Sequence, residues 1–488
     1  MNRTDNTLFV TIVCIAVLFR FYGLGNPIAD WHSWRQSDTA AVARNFIKFG
    51  FDPFRPRFDD LSNIPSGKDN PMGWRMVEFP VYQSVSWMVG AVTAGRVPIE
   101  IVLRLVSITA SVGTLIVLYA LLSGTAGLAS ARIGALTYAV LPYSVFFGRV
   151  ILPEPFVIFW AVLGVYLIFR LAQKNEEMGN RITSWDLMLI LGSAIAAAIA
   201  LLAKPTAAFL MLPVPYLLWR RFGFSPSLII CCIVYSVISV LPLWWWREWI
   251  LRFPEGIPVY AWLLNEGNIR FKGAWFYWIF AKRLGELMLG YWGLIPFGIG
   301  LLTVPTKKEG WIFRLWAVGG LLYLIIIARG NVQHDYYQIL LLPVIAVYVG
   351  KGFAFLLSNT VFSKAVSFQL SVFSFFLMLA FSWYSIRSYY WINRPVIVEA
   401  GREADRMLGK GAKVIAPYNG DTTFLYQTNR QGWPLGFDID KKIAMGATHY
   451  VTVSPTDDDW ETRDLANQYT VLVRNDRYAI IDLTKPKL

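Results

Sequence analysis

Residues 101–122 read IVLRLVSITASVGTLIVLYALL, a run in which Arg104 is the single charged side chain. About 20 apolar residues suffice to cross the roughly 30 Å hydrocarbon core of a bilayer. A further apolar run at 185–203, and another formed by 321–328 with the residues upstream of it, repeat the pattern, and the whole chain is 56% hydrophobic and only 16% charged. Soluble domains average about 25% charged residues, so the sequence predicts an α-helical polytopic membrane protein.

The apolar runs predict about eleven spans. They cover residues 8–24, 100–122, 128–148, 153–171, 186–203, 205–219, 227–246, 285–304, 311–328, 336–356 and 367–387. The first is read as an uncleaved span, because no small-x-small cleavage site follows it. A twelfth span at 79–95 would reverse every later loop, so we expect this amphipathic segment to lie along the membrane surface.

Basic residues are concentrated in one set of short loops, which indicates the orientation. These residues are Arg170, Lys174, Arg181, Arg220, Arg221, Lys307, Lys308, Lys351 and Lys364. Loops rich in Lys and Arg stay in the cytoplasm. We therefore predict a multi-pass protein of the cytoplasmic (inner) membrane, with two long loops, 25–99 and 247–284, and the carboxy-terminal region outside.

The composition changes after Arg394. Short apolar runs at 413–417, 450–453 and 478–483 predict strands, and 396–408 and 459–468 predict helices. The sequence thus predicts a membrane domain over 1–393 and a small soluble α/β domain over 394–488 that faces outside. This domain contains no G-x-G-x-x-G motif after a strand, so a dinucleotide is not indicated.

The net charge of +13 is explained by membrane orientation and by contact with anionic lipid phosphates, so membrane lipids are expected partners and nucleic acid is not. The cysteines, Cys14, Cys231 and Cys232, lie inside predicted spans, which excludes a disulfide framework. The sequence contains no HExxH motif and no Cys/His cluster. We therefore expect no metal and no cofactor.

Charged residues crowd the start of the first long loop, which reads DWHSWRQSDT over 30–39 and closes with Glu78-Phe79-Pro80. A carboxylate at the membrane edge can accept a proton from an acceptor hydroxyl, and a guanidinium such as that of Arg35 can hold a phosphate with two hydrogen bonds. Asp30 is the first candidate for a catalytic base, Asp38 the second and Glu78 the third. His32 and Arg35 are candidate phosphate ligands.

Structural roles are the alternative for each of these residues. Ser37 could cap a helix with Asp38 in its first turn, and Arg35 could pair with Asp38 across one turn. Asp30 could cap a turn over 31–35, and Glu78 could be an exposed loop acid.

More ionisable and aromatic residues fall at span ends on the same predicted face. They are Arg149, Glu154, Lys204, His334, Tyr336 and Tyr337. Ionisable residues in membrane segments are costly and mark functional sites, although Arg149 and Lys204 could also snorkel to the interface and His334 could be a structural histidine.

These motifs together resemble the GT-C class of polyprenyl-phosphate-sugar-dependent glycosyltransferases, in particular the branch of protein O-mannosyltransferases and the lipid A aminoarabinose transferase. The resemblance is carried by the acidic, Trp-rich first loop and by Glu78-Phe79-Pro80, Arg104-Leu105-x-Ser107, Arg149 to Glu154, Ala203-Lys204-x-x-Ala207 and His334-x-Tyr336-Tyr337 up to Pro343. The adjacent Asp-Glu pair usual in the family is absent here, and Glu78-Phe79 stands where the family often has a lysine before proline.

The resemblance implies an inverting transfer of a sugar from a polyprenyl phosphate to a glycan, lipid or protein acceptor on the outer (periplasmic) face. It further implies that an aspartate of the first loop is the base, that His32, Arg35, Arg149, Lys204, His334, Tyr336 and Tyr337 surround the donor phosphate, and that Glu154 faces the acceptor. A transporter or flippase of lipid-linked sugars and a glycan polymerase or ligase are the alternatives. The long outside loops and one-sided polar groups favour an enzyme over a transporter.

Overall fold

The computed structural model describes residues 3–93, 95–173, 182–305, 307, 310–358 and 363–487. By contacts, the chain divides into two compact units. The helical unit comprises Met1–Leu24, Arg104–Arg247 and Tyr260–Ser388, and the mixed unit comprises Gly25–Leu103, Glu248–Val259 and Tyr389–Leu488. This division differs from the predicted boundary near 394, because the first long loop folds together with the carboxy-terminal region. Lys174, Arg181 and Lys308, which supported the predicted orientation, lie outside the described residues.

The α-helices are numbered α1–α21 in chain order. Those of the helical unit are α1 (Arg3–Arg20), α4 (Ile99–Thr125, whose first turn belongs to the mixed unit), α5 (Leu128–Val140), α6 (Pro142–Phe147), α7 (Glu154–Ala172), α8 (Ser184–Ala203), α9 (Pro213–Phe222), α10 (Pro226–Ile250), α11 (Trp262–Asn265), α12 (Gly273–Phe276), α13 (Leu294–Leu302), α14 (Trp311–Ile326), α15 (Ala328–Gln333), α16 (Leu342–Ser358) and α17 (Lys364–Ile386). A π-helical stretch, Tyr277–Met288, and 3₁₀ turns at Pro205–Phe209 and Asp335–Leu341 lie between them.

Six helical segments of the described chain are long and apolar enough to cross a membrane. They are Ile99–Thr125, Glu154–Ala172, Ser184–Ala203, Pro226–Ile250, Asp335–Ser358 and the segment that starts at Lys364. The helical membrane class is therefore confirmed, whereas the count of eleven spans stays a prediction.

Several predicted spans are not single helices. The segment 128–148 is interrupted at Leu141, because Pro142 disfavours helical backbone in the residue before it. The segment 285–304 breaks at Gly290 and Tyr291, whose φ angles are 49° and 57°, and 205–219 divides into a 3₁₀ turn and α9. The described part of 79–95 forms α3 (Val81–Val92). Twelve helical residues extend about 18 Å, too short to span a bilayer.

Glycines set the closest helix packing in the helical unit. A Cβ on Gly352 of α16 would lie 1.7 Å from the carbonyl oxygen of Pro296 on α13, and one on Gly350 would lie 2.6 Å from the backbone nitrogen of Gly134 on α5. Only a residue without a side chain permits such contact between backbones. Helix α16 is therefore held against α5 and α13 along most of its length, and residues 342–353 are all buried.

The mixed unit contains α2 (Ser33–Phe49), α3, α18 (Pro395–Met407), α19 (Thr423–Gln427), α20 (Ile439–Ala444) and α21 (Trp460–Gln468). Its strands are β1 (Lys413–Ile415), β2 (Gln431–Trp433), β3 (His449–Thr452), β4 (Tyr469–Arg474) and β5 (Ala479–Pro486). In the described chain they form one sheet of order β2-β1-β3-β5-β4, parallel from β2 to β3 and antiparallel beyond. The predicted α/β region is confirmed, with β2 and β4 in addition to the predicted strands.

The first long loop extends this sheet. Leu61 donates its backbone N–H to the carbonyl of Gly432 at 2.8 Å, and Gly432 donates to the carbonyl of Asp59 at 2.9 Å, so residues 59–61 pair with the edge strand β2. Leu61 is also fully buried in the core on one side of the sheet, beside Trp433 and Tyr450. Loop and tail thus share one hydrophobic core.

Candidate functional site

Asp30 lies directly before α2 and is almost completely buried. Its Oδ1 accepts a hydrogen bond of 2.7 Å from Nε2 of Gln36, which also donates to the carbonyl of Trp31 at 2.9 Å. The helix begins at Ser33 after His32 in left-handed conformation, without a side-chain cap. The amide of Gln36 thus orients the carboxylate of Asp30.

Asp38 lies in the second turn of α2 and is held from two sides. Arg75 forms an ion pair with its Oδ2 at 3.1 Å, and the hydroxyl of Thr422 donates to its Oδ1 at 2.7 Å. Because α2 begins at Ser33, Ser37 is not the N-cap, and the expected pairing of Asp38 with Arg35 is replaced by the pairing with Arg75. Each oxygen of Asp38 thus has its own donor.

Arg35 pairs instead with Glu78. Nη2 of Arg35 lies 3.1 Å from Oε1 and 3.3 Å from Oε2 of Glu78. The Glu78 side chain is only 17% exposed, so the alternative of an exposed loop acid is wrong. His32 is half-buried and meets the Trp31 ring edge-on at 5.2 Å.

Two further acids surround Asp38. Burial raises the pKa of Asp60 to about 7, with Asp38 adding to the rise and Arg75 opposing it. Burial also raises the pKa of Asp421, again with a contribution from Asp38. Burial lowers the pKa of the Arg75 guanidinium, and Asp38 counteracts this. Asp38, Asp60 and Asp421 thus form a largely buried group of acids, in which Arg75 pairs with Asp38.

In the helical unit, Lys204 and Glu154 form a buried ion pair between their side chains. Glu154 is the first residue of α7, where the helix dipole stabilises a carboxylate. Lys204 ends α8 in extended conformation, because Pro205 disfavours helical backbone in the residue before it. The Lys-Pro and Pro-Glu-Pro sequences thus position both side chains, and snorkelling of Lys204 is excluded by its 8% exposure.

Aromatic rings cover this ion pair. Nζ of Lys204 lies 4.8 Å from the ring centre of Tyr337 and 5.7 Å from that of Tyr336. The imidazole of His334 stacks on both tyrosines at 5.5 and 6.0 Å, and Trp262 meets it edge-on. The predicted group of Glu154, Lys204, His334, Tyr336 and Tyr337 therefore does lie together.

Arg149 is fully buried and its Nη1 donates to the carbonyl of Gly23 at 3.2 Å. Arg104 donates to the neighbouring carbonyl of Leu24 at 2.7 Å, and Ser107 donates to that of Val150 at 2.8 Å. Arg104 and Arg149 thus hold the backbone after α1, and Ser107 holds the backbone between α6 and α7. Burial of Arg149 excludes snorkelling.

Sequence reasoning missed several partners in both clusters. Gln36, Arg75, Asp60 and Thr422 belong to the mixed unit, and Asp335, which lies 3.8 Å from Arg283, belongs to the helical unit. Arg75 stands three positions before Glu78, and this spacing could have drawn attention to it. No sequence motif near Thr422 or Arg283 indicates that either residue belongs to a site. The described residues contain no group of three or more His, Cys, Asp or Glu side chains able to hold a metal ion.

The fold is similar to that of solved membrane glycosyltransferases of the GT-C class, and 28 chains of solved structures match this chain. One is ArnT from Cupriavidus metallidurans bound to undecaprenyl phosphate, with a TM-score of 0.66 and 12% identity over 97% of both chains. No protein-family model and no curated protein sequence matches.

Two other similar structures come from larger proteins. The oligosaccharyltransferase of Archaeoglobus fulgidus, in complex with Zn and sulfate, has a TM-score of 0.58 and 12% identity over 91% of this chain and 67% of that one. The mycobacterial arabinofuranosyltransferase AftD has a TM-score of 0.57 and 14% identity over 99% of this chain and 42% of that one. The predicted GT-C resemblance is thereby confirmed for the fold.

Proposed function

We propose that this chain is a membrane glycosyltransferase that moves a sugar from a polyprenyl phosphate to an acceptor on the outer face of the cytoplasmic membrane, with inversion at the anomeric carbon. The similarity in fold to ArnT, whose structure contains undecaprenyl phosphate, supports the class of donor. The acceptor is a glycan, a lipid or a protein. No cofactor is required for this reaction.

In the proposed step, the acceptor hydroxyl attacks the anomeric carbon from the face opposite the phosphate. The new bond joins the acceptor oxygen to this carbon, while the bond between the carbon and the phosphate oxygen breaks and its electron pair stays on the phosphate. The acceptor proton moves to the carboxylate of Asp30. Asp30 is preferred to Asp38 because the ion pair with Arg75 and the hydrogen bond from Thr422 give the Asp38 carboxylate a structural role.

The observation that carries the proposal is the buried pair of Lys204 and Glu154 beneath Tyr336 and Tyr337. Burying charges costs several kcal/mol per ion, and removing one partner of a buried pair costs about 3–5 kcal/mol. The placement of this pair among membrane helices therefore indicates a functional role. A lysine provides the point charge that a phosphate leaving group needs. We assign Lys204, with Arg149, His334 and the two tyrosines, to the donor phosphate.

The test is transfer in proteoliposomes that contain radiolabelled polyprenyl-phosphate sugars. We expect the wild-type protein to release label from one donor class and to pass it to an acceptor. Lys204→Met should lose activity by at least about 10²-fold, and Lys204→Arg, which keeps the charge, should retain more. The matched control is Lys272→Met, because Lys272 is exposed.

The same assay separates the alternative functions. Movement of an intact labelled lipid across the bilayer, with no cleavage of its sugar–phosphate bond, would identify a transporter and refute the proposal. Growth of a polymeric product would instead identify a polymerase.

A further inference from the structure

A cavity of about 520 Å³ opens in the helical unit between the end of α4, the start of α5, the residues after α13 and the last turns of α16. Its lining includes Gly127, Leu128, Ser130, Thr303, Lys351 and Phe355. None of the described lining residues carries a carboxylate. The loops around it belong to the basic set that predicts the cytoplasmic side. The cavity thus combines apolar walls with positive charge.

The start of α5 supplies backbone donors to this cavity. The helix begins at Leu128, and its N-cap, Gly127, offers no side chain to the free N–H groups of the first turn. The helix dipole adds partial positive charge at this end. Such a helix start binds anions such as phosphate.

Lys351 provides an independent indication of a ligand. It is only 8% exposed, lines the cavity and, within the described chain, makes neither a hydrogen bond nor an ion pair. Its Nζ lies 5.3 Å from the ring centre of Tyr348. Burying most of a lysine side chain without an anionic partner is unfavourable. Nearby Arg314 donates to the carbonyls of Leu301 and Thr303 at the end of α13.

Backbone packing holds Lys351 in this position. The neighbouring residue, Gly350, lies so close to α5 that a Cβ would meet the carbonyl oxygen of Ser130 at 2.7 Å. The lysine therefore emerges beside the first turn of α5. Lys351 and the first-turn residues Leu128 and Ser130 line the same cavity.

We propose that this cavity binds the phosphate headgroup of an anionic phospholipid, with Lys351 and the first-turn N–H groups of α5 as its donors and the apolar wall, including Phe355, against the glycerol and upper acyl chain. Basic pockets between membrane helices bind anionic headgroups elsewhere by the same chemistry. The site is separate from the proposed transfer reaction.

The test is titration of the purified full-length protein with phosphatidylglycerol and with phosphatidylcholine, with bound lipid measured by native mass spectrometry. We expect Lys351→Met to weaken phosphatidylglycerol binding by at least about tenfold and to leave phosphatidylcholine unchanged. Lys351→Arg should retain most of the affinity. Lys364→Met is the matched control, because Lys364 is exposed at the start of α17.

Ala129→Asp provides a second variant. Ala129 is exposed in the first turn of α5, where an added carboxylate stabilises the helix. The same carboxylate would compete with the lipid phosphate. The variant should therefore fold normally and bind phosphatidylglycerol more weakly. Equal binding by wild type, Lys351→Met and Ala129→Asp would overturn the proposal. Full displacement of the lipid by millimolar inorganic phosphate would overturn the lipid assignment in favour of a free-phosphate site.

Discussion

The hydroxyl of Thr422 donates a hydrogen bond of 2.7 Å to Oδ1 of Asp38, although 384 positions separate the two residues. Arg75 holds the other oxygen of the same carboxylate at 3.1 Å. The carboxy-terminal region therefore helps to hold α2, the first helix of the long loop. The candidate base, Asp30, lies in the same loop.

Replacing Asp30 and Asp38 separately distinguishes their roles. Asp30→Asn keeps the oxygen that accepts from Gln36 but cannot take up the acceptor proton, so kcat should fall by about 10²–10⁴-fold with little change in donor binding. The measurement is single-turnover transfer with well-folded protein. If Asp38→Asn were inactive and Asp30→Asn fully active, Asp38 would be the base. If both variants were active, Glu78 would be the leading candidate.

Asp38→Asn should act mainly on stability. The substitution leaves the buried Arg75 without its carboxylate, and breaking a buried pair costs about 3–5 kcal/mol. We expect a lower Tm in detergent, and partial recovery in the double variant Asp38→Asn with Arg75→Gln, which removes both charges. If the double variant were no more stable than Asp38→Asn, the ion pair would not be the cause.

Thr422→Val removes one donor and preserves the side-chain shape. Leaving a buried acceptor short of a partner costs about 1–3 kcal/mol, so Tm should fall by a few degrees, while Thr422→Ser should remain close to wild type. Thermal unfolding of the three proteins side by side is the measurement. Equal Tm values for Thr422→Val and Thr422→Ser would show that the hydrogen bond contributes nothing.

Asp60 predicts a dependence of stability on pH. Burial raises the pKa of Asp60 to about 7 in the folded protein. Between about pH 4 and 7, Asp60 is therefore protonated more often in the folded state than in the unfolded state. Its contribution to the free energy of unfolding therefore declines as pH rises through this window and is constant above it. The Tm of Asp60→Asn should exceed that of the wild type at pH 8 but not at pH 4. An equal Tm difference at both pH values would contradict this.

The orientation predicts the accessibility of introduced cysteines. Lys68→Cys and Lys410→Cys should react with an impermeant thiol reagent from outside, whereas Lys307→Cys should react only after permeabilisation. Lys410 is preferred to nearby Gly420, whose φ of 80° would strain a cysteine. The reverse pattern of labelling would place the long loop and the sheet in the cytoplasm and refute the outer-face proposal.

We expect chelators to leave transfer intact, because the sequence contains no HExxH motif and no Cys/His cluster. Activity lost to a chelator and restored by one divalent cation would reveal a metal role for acids such as Asp30 or Glu78.

The sequence by itself determined the membrane class, the α/β nature of the tail and the GT-C resemblance. Apolar run length and strand-length alternation are local properties, because a bilayer and a sheet each impose a repeat that a short window of residues reveals. The order of short motifs along the chain also brought Glu154, Lys204, His334, Tyr336 and Tyr337 into one prediction, and the helical unit does place them together.

Only the tertiary structure decided the partners of the charged residues. Sequence spacing suggested that Arg35 pairs with Asp38 one turn away, but Arg35 pairs with Glu78 and Asp38 pairs with Arg75 and Thr422. The long loop also joins the carboxy-terminal sheet through Leu61 and Gly432. Burial and pairing depend on residues that are distant in the chain and that packing brings together, so no local pattern could specify them.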